Sequence, residues 1–251
     1  MSQCPKCQSP LAGDAAFCSQ CGSQFGATTV PSGQLAAASA SVLEAIAARD
    51  YEVRIGAWIG RGWEIYKANL GPILGAYLVM CLILVVGAFV PFGNLVLPGP
   101  IMGGMIMMIF AAMRGRTPEF NMVFKGFSRF VPLMLVHLVR SIIVMIGVLL
   151  CLLPGIYLGV GYMFALFLVV DKNAEFWPAL ETSRKLIHRH WGGIFLFLLA
   201  LAGINILGML ALCIGVLFTG PLTMCALCAA YEDIVGLEPE LAAPAALATP
   251  A

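Results

Sequence analysis

Six apolar runs dominate the chain, at about 71–91, 98–113, 131–153, 155–170, 192–213 and 217–231. About 20 apolar residues in a helix cross the ~30 Å hydrocarbon core of a bilayer, where every backbone N–H and C=O must be satisfied inside the segment. The runs therefore predict an all-α polytopic membrane protein with six transmembrane helices. The odd-numbered runs have the length to span; the even-numbered ones, at about 15 to 17 residues, are short for it. Only 11% of the 251 residues are charged and 61% are hydrophobic. A soluble domain carries about a quarter charged residues, so a soluble globular chain and a disordered one are both excluded. The net charge of +1 provides no basic field, and nucleic acid is not an expected partner.

Where the charges fall orients the helices. The turns at 91–99, 153–155 and 214–220 contain none, so the runs pair into three hairpins. Arg49, Arg54, Arg61 and Lys67 precede the first hairpin; Arg114, Arg116, Lys125 and Arg129 follow it; Lys172, Arg184, Lys185 and Arg189 follow the second. This segregation predicts a multi-pass protein of a cell inner membrane with both termini cytoplasmic. The polar N-terminus shows no secretory signal, so the first run is expected to direct its own insertion.

The charged breaks are themselves amphipathic. Within 174–191, Phe176, Leu180, Ile187 and Trp191 share one face, with Glu181, Lys185 and His188 on another. Within 51–70, Ile55, Ile59, Trp63, Tyr66 and Leu70 oppose Arg54, Arg61 and Glu64. Both segments are expected to lie at the membrane interface with Trp and Tyr at headgroup level. Ser41 and Glu44 have capping-box spacing, which would start the first of these helices a few turns earlier.

A shift of 121 positions superposes the first hairpin unit on the third: Gly71 on Gly192, Gly87 on Gly208, Gly99-Pro100 on Gly220-Pro221, Gly115 on Gly236. The middle unit follows at an offset of 60, with Pro72 on Pro132 and Gly87 on Gly147. Three parallel copies of one unit are expected, each an interfacial helix followed by a helical hairpin. Pro100 and Pro221 are expected in the first turn of the returning helix, where a missing N–H costs nothing.

Residues 1–26 are polar and hold Cys4-Pro-Lys-Cys7 and Cys18-Ser-Gln-Cys21-Gly, two CxxC knuckles ten residues apart. Two-residue gaps let both thiolates of a turn face one tetrahedral Zn²⁺, and four thiolates leave no open position, so Cys4, Cys7, Cys18 and Cys21 predict a structural zinc site. Two disulfides are the other use of such a set; zinc-bound thiolates require a reducing compartment. The motif resembles the short zinc ribbon at the start of many bacterial membrane proteins, which implies a protein-interaction or regulatory module. Cys81, Cys151, Cys213, Cys225 and Cys228 lie in apolar runs and are read as packing residues. The ribbon is followed by an Ala/Ser/Thr/Gly linker at 27–48, the membrane domain at 49–236 and an Ala/Pro-rich tail at 237–251 that its composition predicts to be disordered.

From Leu153-Pro-Gly-Ile-Tyr-Leu158 onward, through Ala179-Leu-Glu-Thr-Ser-Arg184, His190-Trp-Gly192, Gly220-Pro221 and Tyr231-Glu-Asp233, the chain resembles uncharacterised six-helix membrane proteins related to the membrane domain of glycerophosphoryl diester phosphodiesterases. The resemblance implies a polytopic membrane domain. No hydrolase domain accompanies it, so the phosphodiesterase activity is not carried over.

No Asp or Glu falls within the six runs, and one cation does. Arg140 lies about ten residues into the third, near the bilayer middle, where an isolated charge costs ~3 kcal/mol on insertion scales. It is expected to face the bundle interior, with His137 one turn away on the same face and Asn205, Tyr162, Ser141 or broken-helix carbonyls as its available partners. Its alternatives are a packing role and a site for an anionic headgroup or solute. Asn205 is read first as interhelical glue and second as part of that site. No nucleophile–base pair or paired carboxylate is visible, so the expected protein is not an enzyme. The expectation is a membrane domain that handles or senses lipid or a membrane partner, with the ribbon as a cytoplasmic docking surface. An uncoupled transporter or channel for an anionic or amphiphilic solute is the alternative.

Overall fold

The computed structural model describes residues 32–90, 93–150, 152–210 and 215–237. The four ribbon cysteines, residues 27–31 of the linker and the tail beyond Leu237 lie outside the described residues. The chain divides into two units, Met1–Val42 and Leu43–Ala251. Helix α1 (Ser32–Ala47) begins in the first and ends in the second, where Leu43 and Ile46 are buried. The second unit continues with α2 (Ile55–Ala68), α3 (Leu70–Ala88), α4 (Gly93–Val96), α5 (Pro98–Met113), α6 (Met122–Lys125), a 3-10 turn (Gly126–Arg129), α7 (Phe130–Leu150), α8 (Leu152–Gly161), α9 (Ala165–Lys172), α10 (Phe176–His188), α11 (Trp191–Leu210) and α12 (Gly215–Val235). Among the described residues there is no strand.

Among the described residues, five helical stretches are long and apolar enough to cross a membrane: Leu70–Ala88, Met122–Leu150, Leu152–Lys172, Trp191–Leu210 and Gly215–Val235. The run expected to give a sixth is α5, with 16 residues. Its surroundings explain its length. The windows in the stretches containing α3, α7 and α11 are 22%, 17% and 22% buried, whereas that of α8 and α9 is 61% and that of α12 is 50% buried. In α5, eleven of the 16 residues are buried. The odd-numbered runs thus form an outer set with apolar side chains exposed, and the even-numbered runs form an inner set. A helix enclosed by other helices has its end groups met by protein and need not match the lipid thickness.

The element boundaries carry the repeat. Helices α2 and α3 begin at residues 55 and 70, α10 and α11 at 176 and 191, which is the shift of 121 in both cases. In the middle copy the short helix is reduced to α6 and the 3-10 turn, which run directly into α7. The three copies close on one another. The inner helix of each packs against the short helix of the next: α5 on α6 and the 3-10 turn, α8 and α9 on α10, and α12 on α2.

A small residue sits at each junction. At Gly62 of α2 a Cβ would lie 2.6 Å from the Ala226 backbone of α12; at Gly126 it would strike the Pro100 carbonyl and the Gly104 nitrogen of α5. At the third junction Ser183 Oγ donates to the Gly161 carbonyl at 2.7 Å and accepts from Phe164 N at 3.2 Å.

These junctions divide the expected apolar faces into a part covered by protein and a part left exposed. The buried face of α2 is Trp58, Gly62, Ile65 and Tyr66, while Trp63 and Leu70 are exposed. The helix turns its closest-packing stripe to α12, and Trp58, at 2% exposure, belongs to the core. In α10, Leu180 and Ile187 are buried as expected, joined by Ala179, Thr182, Ser183 and Leu186. Ser41 lies inside α1, and residues 48–54 are not helical, so the capping-box spacing does not start α2. Pro100 is in the first turn of α5, but α12 begins at Gly215 and Pro221 falls inside it.

Candidate functional site

The three inner helices end alike at the charged side of the bundle. Each is followed by a residue of positive φ, Gly115 at 74°, Asn173 at 52° and Gly236 at 78°, the left-handed turn that closes a helix C-terminus. One turn before these ends, Phe110, Phe167 and Tyr231 contribute one ring each to a mutual cluster. Their centroids lie 6.2, 5.5 and 5.5 Å apart, so aromatic rings fill the space where the three inner helices meet. Phe110 and Tyr231 are partners under the shift of 121.

Directly on the charged side of this cluster lies Asp171, its side chain 0% exposed. Arg114 Nη2 reaches it at 3.0 Å, Lys172 Nζ at 3.2 Å, and the Tyr231 hydroxyl donates to it at 3.2 Å. The Arg114 guanidinium also stands 5.9 Å from the Phe110 centroid. Cations complete the helix ends. Arg49 Nη1 donates to the Ile234 and Val235 carbonyls at 3.2 and 2.7 Å, Lys172 Nζ to the Gly236 carbonyl at 3.2 Å, and Arg129 Nη1 to the Val169 carbonyl at 3.5 Å. Positive charge there opposes the negative end of each helix dipole. At the α2–α12 junction Arg54 pairs with Asp233, Trp58 Nε1 donates to Asp233 at 2.8 Å, and Arg61 pairs with Glu232 at 3.2 Å.

The sequence reading missed this network because its apolar runs stop at 170 and 231. The helices continue to Lys172 and Val235, so the statement that the spans lack carboxylates is corrected: Asp171 belongs to a spanning stretch and is buried in it. The available signal was the match of Phe110 to Tyr231, beside the Gly115–Gly236 match, which places two aromatics at equal depth before two equal helix ends.

The predicted membrane residues are found on two separate helices. On α7, Leu133, His137, Arg140, Val144 and Gly147 form one stripe, the face turned to α5 and α8. Arg140 therefore faces inward, as expected, yet among the described residues it forms no hydrogen bond or ion pair. Asn205 is not brought to it. The Asn205 amide donates to the Leu201 carbonyl at 2.9 Å and to Thr223 Oγ1 at 2.7 Å, and its oxygen accepts from Thr219 Oγ1 at 3.0 Å. It ties α11 to α12 on either side of Pro221. Cys225 and Cys228 are buried free thiols in α12. Among the described residues, no group of three His, Cys, Asp or Glu side chains is placed to hold a metal.

Two exposed carboxylates titrate below their ordinary range. The Arg184 guanidinium, bonded at 3.0 and 2.8 Å, holds Glu181 below 4.5, and the His190 ring at 2.8 Å holds Asp50 below 3.8. A carboxylate depressed in the folded state contributes stability above its unfolded value and loses it as the pH falls through the folded one. The melting temperature in micelles is accordingly expected to show no step from Glu181 between pH 7 and about 5, and Glu181→Gln to lower it slightly there, with a smaller effect as the pH falls below the usual carboxylate range. A wild-type step near pH 6 that Glu181→Gln abolishes would contradict this.

No family model, curated protein or solved structure matches the chain.

Proposed function

We propose that the chain is a non-enzymatic protein of a cell inner membrane, its termini cytoplasmic, whose membrane domain binds or senses lipid and whose zinc ribbon offers a cytoplasmic docking or regulatory surface. The reading is carried by how the inner helices meet. Phe110, Phe167 and Tyr231 close their common axis, and Asp171 beside them is spent on Arg114, Lys172 and Tyr231. Such a centre suits a packed membrane module better than a water-filled path along the axis. The charged end, where cations cap the inner helices, is the cytoplasmic end under the positive-inside rule.

The zinc assignment rests on Cys4, Cys7, Cys18 and Cys21 and their spacing. One zinc per chain is the expected elemental analysis of the full-length protein, with loss in a Cys4→Ser, Cys18→Ser variant; a zinc-free wild type prepared without chelator would sink the ribbon. The transporter alternative draws on Arg140, the inward-facing cation of α7. Proteoliposomes carrying the protein are expected to release trapped anions no faster than empty ones, whereas efflux that Arg140→Gln abolishes would favour transport.

A further inference from the structure

Arg140 stands at the middle of the 21-residue α7, on the stripe by which α7 packs inward. The contacts along that stripe are close on both sides of it. A Cβ at Gly99 would strike the Leu133 carbonyl and lie 3.0 Å from His137 Cβ, and one at Gly147 would lie 2.9 Å from the Gly155 Cα. Between these two crossings the seam changes. Helix α5 begins at Pro98, beside His137, so past this level α7 has lost its long neighbour and meets the four-residue α4. On the other wall Gly159 of α8 presents no side chain, and a Cβ there would meet only Val144 Cγ1, at 3.8 Å. Arg140 itself is mostly buried.

A guanidinium has five donors and no acceptor. Among the described residues none of the five is used, and α4, α5, α7 and α8 contain no Asp or Glu that could turn toward it. His137, one turn away on the same stripe, also forms no hydrogen bond among the described residues. A cation at mid-membrane depth is costly unless neutralised. Among the described residues none of the helices that border Arg140 on this stripe brings a carboxylate to it, so the neutralising group comes from outside them. The planar fork of arginine matches the paired oxygens of a phosphate, and an imidazole one turn away adds a further nitrogen.

We propose that Arg140, with His137, holds a phosphate or phosphodiester group in the seam that α7 forms with α8, α4 and the start of α5. The inference rests on the reading of the helical unit as a lipid-binding membrane domain and names the chemistry of its ligand, with a phospholipid headgroup and free phosphate as the two sources.

The test uses the full-length chain. In nanodiscs of phosphatidylcholine doped with phosphatidylglycerol, native mass spectrometry counts the phosphatidylglycerol kept through delipidation. Wild type is expected to keep it, Arg140→Gln to lose about tenfold in retention, as for one charge-assisted pair, and Arg140→Lys to fall between, since a point charge lacks the fork. In micelles without anionic lipid, a rise in melting temperature with inorganic phosphate over chloride at equal ionic strength, absent in Arg140→Gln, would assign the site to free phosphate. His137→Ala, which leaves the charge in place, is expected to weaken retention less and serves if Arg140→Gln does not fold. Equal retention by wild type, Arg140→Gln and His137→Ala, with no phosphate effect, would overturn the site while leaving lipid binding intact. A wild type that keeps no lipid of any kind and shows no phosphate effect would overturn both.

Discussion

Replacing Asp171 by alanine is expected to destabilise the helical unit by about 3–5 kcal/mol, the usual result of removing one member of a buried ion pair. The carboxylate is fully enclosed, and its removal takes away the anion shared by Arg114, whose side chain is 25% exposed, and Lys172, at 10%. It also removes an acceptor of the Tyr231 hydroxyl, and Tyr231 is one of the three rings at the meeting point of the inner helices. Three copies are therefore loosened by one substitution: Arg114 follows α5, Asp171 and Lys172 close α9, and Tyr231 belongs to α12. Asparagine restores the shape and one acceptor but not the charge, and is expected to recover less than half the loss. Tyr231→Phe removes the hydroxyl's bond to Asp171 and keeps the ring, for a cost of about 1 kcal/mol. Unfolding in mixed micelles, followed by circular dichroism, gives all three values. An Asp171→Ala variant within about 1 kcal/mol of wild type would mean that water reaches the cluster and screens it.

Apolar run length and charge placement made most of the architecture legible. The helical class, the outer helices, the short α5 and the copies related by 121 residues can all be read from the positions of Gly71, Gly192, Gly115, Gly236 and the charged breaks. What the pattern did not contain was which face of each short helix is covered. Hydropathy put Trp63, Tyr66 and Leu70 on one apolar face, because a large apolar residue at helical spacing looks the same whether it meets lipid or protein; Tyr66 is covered by protein, Trp63 and Leu70 are exposed. In a membrane the close helix contacts are made by small residues, and there Gly62, Gly126 and Ser183 carried the information. Asp171 was hidden for a related reason. A carboxylate just past an apolar run reads as an interfacial charge, and only the arrival of Arg114 and Tyr231 from other copies makes it a buried one.

Closure of the three copies depends on α2 reaching α12, and two glycines of α2 separate that requirement from helix propensity. A methyl group on Gly62 would lie 2.6 Å from the Cα and N of Ala226, and these are backbone atoms of a long packed helix that have little freedom to move aside. On Gly60, two residues earlier on the exposed side, it would meet nothing within 4 Å. Both substitutions gain the same helix propensity, up to ~1 kcal/mol for alanine over glycine. Gly60→Ala is expected to keep that gain and raise the melting temperature. Gly62→Ala is expected to lose more than it gains, and Gly62→Val to cost about 3 kcal/mol, the upper end for overpacking. The damage has a local reporter. Trp58 sits one turn before Gly62, is 2% exposed, packs edge-on to Phe197 at 5.1 Å and donates to Asp233 at 2.8 Å. Separation of α2 from α12 would hydrate its indole, so the Gly62 variants are expected to red-shift its emission and expose it to an aqueous quencher, while Gly60→Ala leaves it unchanged. If Gly62→Ala and Gly60→Ala were equally stable with the same emission, the α2–α12 seam would be loose enough to admit a side chain. Closure of the ring would then rest on the other two junctions, where Gly126 meets α5 and Ser183 is hydrogen-bonded into α8.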